Sequence, residues 1–297
     1  MAGASDDIAA ALAAAGPKPA TLGPQGQDNR VEKRNYAQRL SDALARTVAD
    51  ALRPAYRRAR VTPYADGQGR ELSIGGAFDR KRTDVGVWDD TVGLVAGVSI
   101  KTYSFRDTHG AKDGAPAWIG RYSRNVKRND LELRDEAATL HRRQPWAVLV
   151  ALFFLPNDAC WDGAGGHSSF AHVVFTLRKR AGRTSPEGPA ELFERVYVGL
   201  FAPDGTVRFF DVAQAPPYNQ PPPVDATRTL TAVIERLDDD ITRRNLGVSK
   251  NELYASADPT WRPPAGSVPT SVSKEAALDV GAALSPAESS DEPGEDA

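Results

Sequence analysis

Apolar residues recur every fourth position from Tyr36 through Leu40, Leu44 and Val48 to Leu52, with charged residues between them. That spacing predicts an amphipathic helix over 31–59, ended or bent at Pro54. A glycine-rich turn, YADGQGR, follows, and 70–75 fits a short strand. The period then drops to two. KRTDVGVWD alternates Val85 and Val87 with polar neighbours, GLVAGVSIKTYSF is apolar and β-branched, and the DDT segment between them is turn-like, so the pair predicts a hairpin. A Gly- and Asp-rich loop covers 106–124. The helical period returns over 128–143, with Asn129 or Asp130 as cap and Pro145 just beyond.

AVLVALFFLP (147–156) is apolar throughout, as a strand buried on both faces must be. Residues 168–181 predict a helix capped by Ser168 or Ser169. RVYVGLFAPDGTVRFFDV predicts a second hairpin around Asp204-Gly205, and TLTAVIERLDDDITRRN the last helix. The order of elements implies an α/β (α+β) fold, a central mixed β-sheet flanked by helices.

Composition bounds this core. Residues 1–30 are rich in Ala, Gly and Pro, and 264–297 in Ser, Pro, Ala, Asp and Glu. Such segments bury too little apolar surface to offset chain entropy, so both are expected to be unstructured around one domain at 31–263. The net charge is −2; 264–297 carries −6 and 1–30 carries −1, which leaves 31–263 at +5. A basic core suits an anionic partner such as nucleic acid, although a surplus of this size also occurs by ordinary scatter.

Several chemistries are excluded or weak. Cys160 is the single cysteine, which rules out an intrachain disulfide and a multi-cysteine zinc site. No apolar run has transmembrane length, and the N-terminus lacks a basic leader region and carries Asp6 and Asp7, so a cytoplasmic protein is expected. There is no GxxxxGK[ST] and no HExxH; His167 and His172 are five apart, off the spacing of one helix face. His141 reads as a surface or packing residue, and a Cys160–His167 nucleophile has little support.

The segment 71–107 is the informative one. Asp84 sits on one strand of the first hairpin, and Ser99 and Lys101, two apart, share a face of the next. A lysine there is costly unless it meets solvent or a negative partner, which Asp84 supplies. Two readings follow. One is a structural Asp–Lys pair at a sheet edge. The other is phosphodiester hydrolysis, in which the carboxylate holds Mg²⁺, the metal polarises the phosphate and acidifies a water, and the lysine positions that water and offsets developing charge. Nearby, RYSRNVKRND holds Arg121, Arg124, Lys127 and Arg128 around Tyr122: cations for phosphates and a ring to stack or wedge, or a plain solvated basic loop. A second basic cluster, RKRAGR (178–183), suits a helix C-terminus.

Helix–strand–strand–strand–helix–strand, with Asp84 on the second strand and Ser99-Ile100-Lys101 on the third, resembles the PD-(D/E)xK nuclease superfamily. YAQRLSDALARTVADALRP, KRTDVGVW, GVSIKTYSFRD, RYSRNVKRNDLELRDEAATLHRRQPWAVLVALFFLP and LFERVYVGLF resemble a group of bacterial restriction-endonuclease-like proteins over roughly 36–212. The resemblance implies an αβββαβ core and a Mg²⁺-dependent DNA endonuclease, with Mn²⁺ as substitute metal, acting in restriction or anti-phage defence. It implies Asp84 and Ile100 (through its carbonyl) as metal ligands, Lys101 as the water-positioning residue and Ser99 as a polar companion. DNA is the implied partner; a homodimer or further defence subunits also fit. The family places Asp or Glu where Ser99 stands here. Some members with Ser-x-Lys take a glutamate from the following helix, where this chain has Glu132 and Glu136, four apart on one face. Glu71, on the preceding strand, is the preferred substitute because a strand neighbour is rigidly held; a solvated acid is the plainer account of each. Ser99 favours the rival reading, a non-catalytic DNA-binding or scaffold subunit, and RNA is an alternative substrate.

Overall fold

The computed structural model describes residues 8–23, 29–56, 59–66, 72–74, 81–89, 93–109, 118–123, 125–163 and 166–244. In chain order the elements are α1 (Ala9–Ala15), α2 (Arg30–Leu52), β1 (Arg60–Thr62), β2 (Leu72–Ile74), β3 (Lys81–Thr83), β4 (Val85–Asp89), β5 (Gly93–Thr102), β6 (Thr108–His109), β7 (Trp118–Ile119), α3 (Val126–Arg143), β8 (Val148–Pro156), α4 (Ser169–Leu177), β9 (Arg195–Phe201), β10 (Val207–Asp211), β11 (Thr227–Arg228) and α5 (Leu230–Arg244).

The fold is α/β. Seven strands form a mixed sheet in the order β1-β4-β5-β8-β9-β10-β11. β5, β8 and β9 are mutually parallel and the remaining pairs antiparallel. Parallel neighbours need a crossover, and α3 and α4 supply the two. β8 is buried at every position, as its unbroken apolar run predicts. Both expected hairpins are present, β4–β5 and β9–β10.

Two cores flank the sheet. On one face Leu40 and Leu44 of α2 and Leu237 of α5 pack with Val98, Ile100, Val150 and Leu152. On the other, Leu133 of α3 and Phe170 of α4 pack with Leu149, Phe153 and Val198. Even-numbered residues at the end of β5 therefore face α2, and odd-numbered ones face α3.

Four expectations are corrected. The N-terminal segment was expected to be unstructured, but Ile8, Ala11 and Ala15 are buried against α2, and the Ile8 N–H donates to the Gly205 carbonyl at 2.8 Å. A run of alanines has the best helix propensity and the smallest side chains, so it docks closely without a wide apolar stripe. Gly205 permits this approach: its φ is +93°, and a Cβ there would lie 2.4 Å from the Ala9 nitrogen. Second, the strand expected at 70–75 forms at Leu72–Ile74, but among the described residues it pairs with β3 and not with the main sheet, which opens instead on β1 at Arg60–Thr62. Third, α3 starts earlier than expected, after Asn125, with no side-chain cap; Asn129 instead donates to the Tyr103 hydroxyl and Asp130 pairs with Arg180. Fourth, the helix at 168–181 ends at Leu177 and passes into a short 3-10 turn, Arg178–Arg180, while its cap is Ser168 as expected. The boundary at 264 lies outside the described residues. Among the described residues no helix is long and apolar enough to cross a membrane.

Candidate active site

Asp84 links β3 to β4. Val85 is paired with Val98, so continuing the register by one residue sets Asp84 against Ser99. The Ile100 N–H donates to Asp84 Oδ2 at 2.6 Å, which fixes the carboxylate on β5. Beside it Thr83, buried, turns its hydroxyl to the Val85 and Val98 carbonyls, 2.8 and 3.1 Å away.

Ser99 and Lys101 face α3, as their spacing predicts. Ser99 is buried and its hydroxyl donates to Glu136 of α3. One turn earlier, Glu132 lies 3.8 Å from Lys101 Nζ and accepts from Arg128 Nε at 2.8 Å. The helix after β5 thus delivers two carboxylates, Glu136 to the serine and Glu132 to the lysine. The i, i+4 spacing sets one above the other on the same face. Glu71 lies outside the described residues.

Mg²⁺ takes oxygen ligands and is usually held by one or two carboxylates, with waters and substrate phosphates completing the shell. Asp84 meets Ile100 and Glu136 meets Ser99, so these two carboxylates, on adjacent residues of β5, are the candidates for such a cation. Among the described residues no group of three or more His, Cys, Asp or Glu side chains could hold a metal.

A cleft of about 570 Å³ opens beyond Thr102, where β5 ends. Glu132 lines it as well as meeting Lys101, so the cleft reaches the Lys101–Glu132 ion pair. Arg30, Lys33 and Arg34 of α2, Arg106 and Arg121 of the loops and Arg128 of α3 line it, against two acids, Asp107 and Glu132. Sequence reading found only part of this set. Arg121 and Arg128 line the cleft as expected; Arg124 lies outside the described residues; Lys127 is exposed and is not part of the lining. The α2 cations escaped notice because they are some ninety residues away in sequence from RYSRNVKRND; the one signal was three bases in the first turns of a helix.

Tyr122 is corrected. It lines the cleft but is 6% exposed, its hydroxyl donates to Asp158 Oδ2 at 2.7 Å, and the Arg106 guanidinium lies 5.5 Å from its ring centre. It braces the loop and has no face to offer a base. Burial, with the adjacent Asp158 carboxylate, pushes its pKa above the ordinary tyrosine value.

The cluster 178–183 is structural. Arg180 grips Asp130 through two nitrogens at 2.6 and 3.1 Å, and Lys179 joins at 3.0 Å. Burial raises the Asp130 pKa, but the hydrogen bonds from Arg180 and Lys179 outweigh it and hold the carboxyl below the ordinary range. Arg183 is buried against Glu194. Burial and the neighbouring Asp162 and Asp158 push the Cys160 thiol up to about 12, so it stays protonated and is no nucleophile near neutral pH. His141 is buried, its Nδ1 3.0 Å from the Ala190 carbonyl.

Comparison with protein-family models, with curated proteins and with solved structures finds no match.

Proposed function

We propose that this chain is a Mg²⁺-dependent DNA endonuclease of the PD-(D/E)xK type, working in restriction or anti-phage defence, alone, as a homodimer or with further defence subunits. The observation that carries the reading is the hydrogen bond between Ser99 and Glu136. It brings a carboxylate from the following helix to the position where the nuclease motif has its acid. Asp84 and Glu136 would hold the cation, together with the Ile100 carbonyl that the resemblance implies. Bound Mg²⁺, or Mn²⁺ in its place, supplies a Lewis acid for the phosphodiester and a water of lowered pKa.

The chain's own groups do the rest. The Ser99 hydroxyl orients the Glu136 carboxylate, and the Ile100 N–H orients Asp84. Lys101, on the same face as Ser99 and 3.8 Å from Glu132, would offer its ammonium to offset negative charge growing on the phosphate. The cationic cleft next to Glu132 receives the backbone of the substrate.

A second reading, a DNA-binding subunit without catalysis, is favoured by one observation: Ser99 stands where the nuclease motif has its acid. Incubating the purified protein with supercoiled, linear and single-stranded DNA and with RNA, with and without Mg²⁺, separates the readings. Mg²⁺-dependent cutting of DNA is expected. Glu136→Gln, which keeps the hydrogen bond but removes the charge, should raise the Mg²⁺ needed for half-maximal rate by about 10- to 100-fold. DNA binding without cutting under any condition selects the second reading; cutting of RNA alone reassigns the substrate.

A further inference from the structure

We infer that the face beside the cleft, built from His167, Phe175 and Tyr218 and bordered by Arg121, is a stacking platform for unpaired bases of single-stranded DNA. The three rings form one cluster. The His167 ring lies 4.5 Å from that of Tyr218 and 5.2 Å from that of Phe175, and the last two are 6.1 Å apart, centre to centre. They are not core: Phe175 is 40% exposed and Tyr218 60%. Aromatic side chains left this far in water have a reason more often when they are grouped than when they are scattered.

The cluster is pre-ordered. The Ser168 N–H donates to the Tyr218 carbonyl at 2.8 Å, the Gly163 N–H to Asn219 Oδ1 at 3.3 Å, and Ser168 itself caps α4, which carries Phe175. Rings held in place need little further ordering when a base stacks on them.

Charge points to the occupant. Arg121 lines the basic cleft and its guanidinium donates to the His167 carbonyl at 3.0 Å, so it joins the two surfaces. His172, also on α4, has its pKa lowered by burial and then by the neighbouring charges of Lys127, His167 and Arg121. Lys127 and Arg121 thus bring positive charge near this face, which suits a polyanion. A strand whose phosphates lie in the cleft and pass Arg121 brings its bases to the rings. In a duplex the faces of the bases are covered by their neighbours; only an unpaired strand presents them for stacking.

The choice of DNA rests on the proposed function; the stacking does not need its chemistry. The test is anisotropy of a labelled oligothymidylate and of a labelled hairpin duplex with the full chain in EDTA, where nothing is cut. The Phe175→Leu, Tyr218→Leu double variant removes the π-faces and keeps apolar bulk. Its affinity for the single strand should fall about 5- to 150-fold per stacked base lost, with duplex affinity kept. Arg121→Gln should weaken both. The Phe175→Tyr, Tyr218→Phe pair retains the rings and should bind like wild type, which separates stacking from misfolding. Unchanged single-strand affinity in the Leu variant, an equal loss on the duplex, or no single-strand binding by the wild type overturns the platform. Cutting in Mg²⁺ is measured separately. A protein that cuts but ignores the Leu changes keeps the nuclease reading and loses the platform. One that never cuts but binds the oligonucleotide through its rings does the reverse.

Discussion

Lys101→Ala should slow Mg²⁺-dependent DNA cleavage by about 10²- to 10⁴-fold, the contribution typical of a positioned proton-transfer or charge-stabilising group, while leaving the folded protein as stable as before. Lys101 stands at the end of β5, with its side chain 26% exposed and its nearest acid, Glu132, 3.8 Å away and 38% exposed. A half-exposed ion pair of this kind contributes about 0–1 kcal/mol to stability. For a domain of this size that shifts the melting temperature by no more than roughly 4 °C. Activity and stability must therefore separate. Melting and cleavage measured on the same preparation check this. A variant that melts far lower would mark Lys101 as a structural partner; one that cuts at the wild-type rate would remove it from the chemistry.

The largest effect on stability is expected at Glu194, a residue outside the proposed site. It sits where β9 begins, 7% exposed, and gathers four groups from separate parts of the chain. Arg183 approaches at 3.1 Å, Arg244 of α5 at 2.7 Å, the Leu149 N–H at 2.6 Å and His141 Nε2 at 3.5 Å. Glu194→Gln leaves two buried guanidiniums without their counter-charge. Breaking a buried pair from one side costs about 3–5 kcal/mol, or roughly 6–20 °C in melting temperature. Burial raises the Glu194 pKa, but His141, the Leu149 amide and Arg244 outweigh it and hold the carboxyl below its ordinary value. Its stabilisation is thus fully present above the normal carboxylate range and is lost as pH falls through the lowered pKa. The melting gap between wild type and Glu194→Gln should be widest near neutral pH and close in acid. A constant gap across that titration would assign the loss to packing.

Local pattern carried most of the fold into the sequence. The unbroken apolar run of β8, the period of two in β4 and β5 and the Asp204-Gly205 turn are signals contained in a few neighbouring residues, and those elements lie where they predict. Elements with weak local signals were lost. Three residues of β1 are too few to alternate, and alanines in α1 look like linker until an opposing helix buries them. The site divides in the same way. That Ser99 and Lys101 share a face follows from a period of two. That Glu136 meets the serine while Glu132 meets the lysine depends on how α3 lies across the sheet, which no spacing within either element encodes. Tyr122 was misread for the same reason: a basic loop suggests exposure, but Asp158 and Ser169, far along the chain, draw its hydroxyl and its backbone inward.

The last residues of β5 serve two purposes in alternation. Val98 and Ile100 fill the α2 side, and Ser99 and Lys101 face α3. Sliding this strand by a single residue would exchange the two sets, driving a serine and a lysine into packed hydrocarbon and turning valine and isoleucine toward the carboxylates. A one-residue deletion or insertion between Gly97 and Lys101 that is not taken up as a bulge, as the extra residue at Val95 is, should therefore make folding and chemistry fail together. Point substitutions at the odd positions are the route by which such a chain can lose or regain activity while its architecture persists.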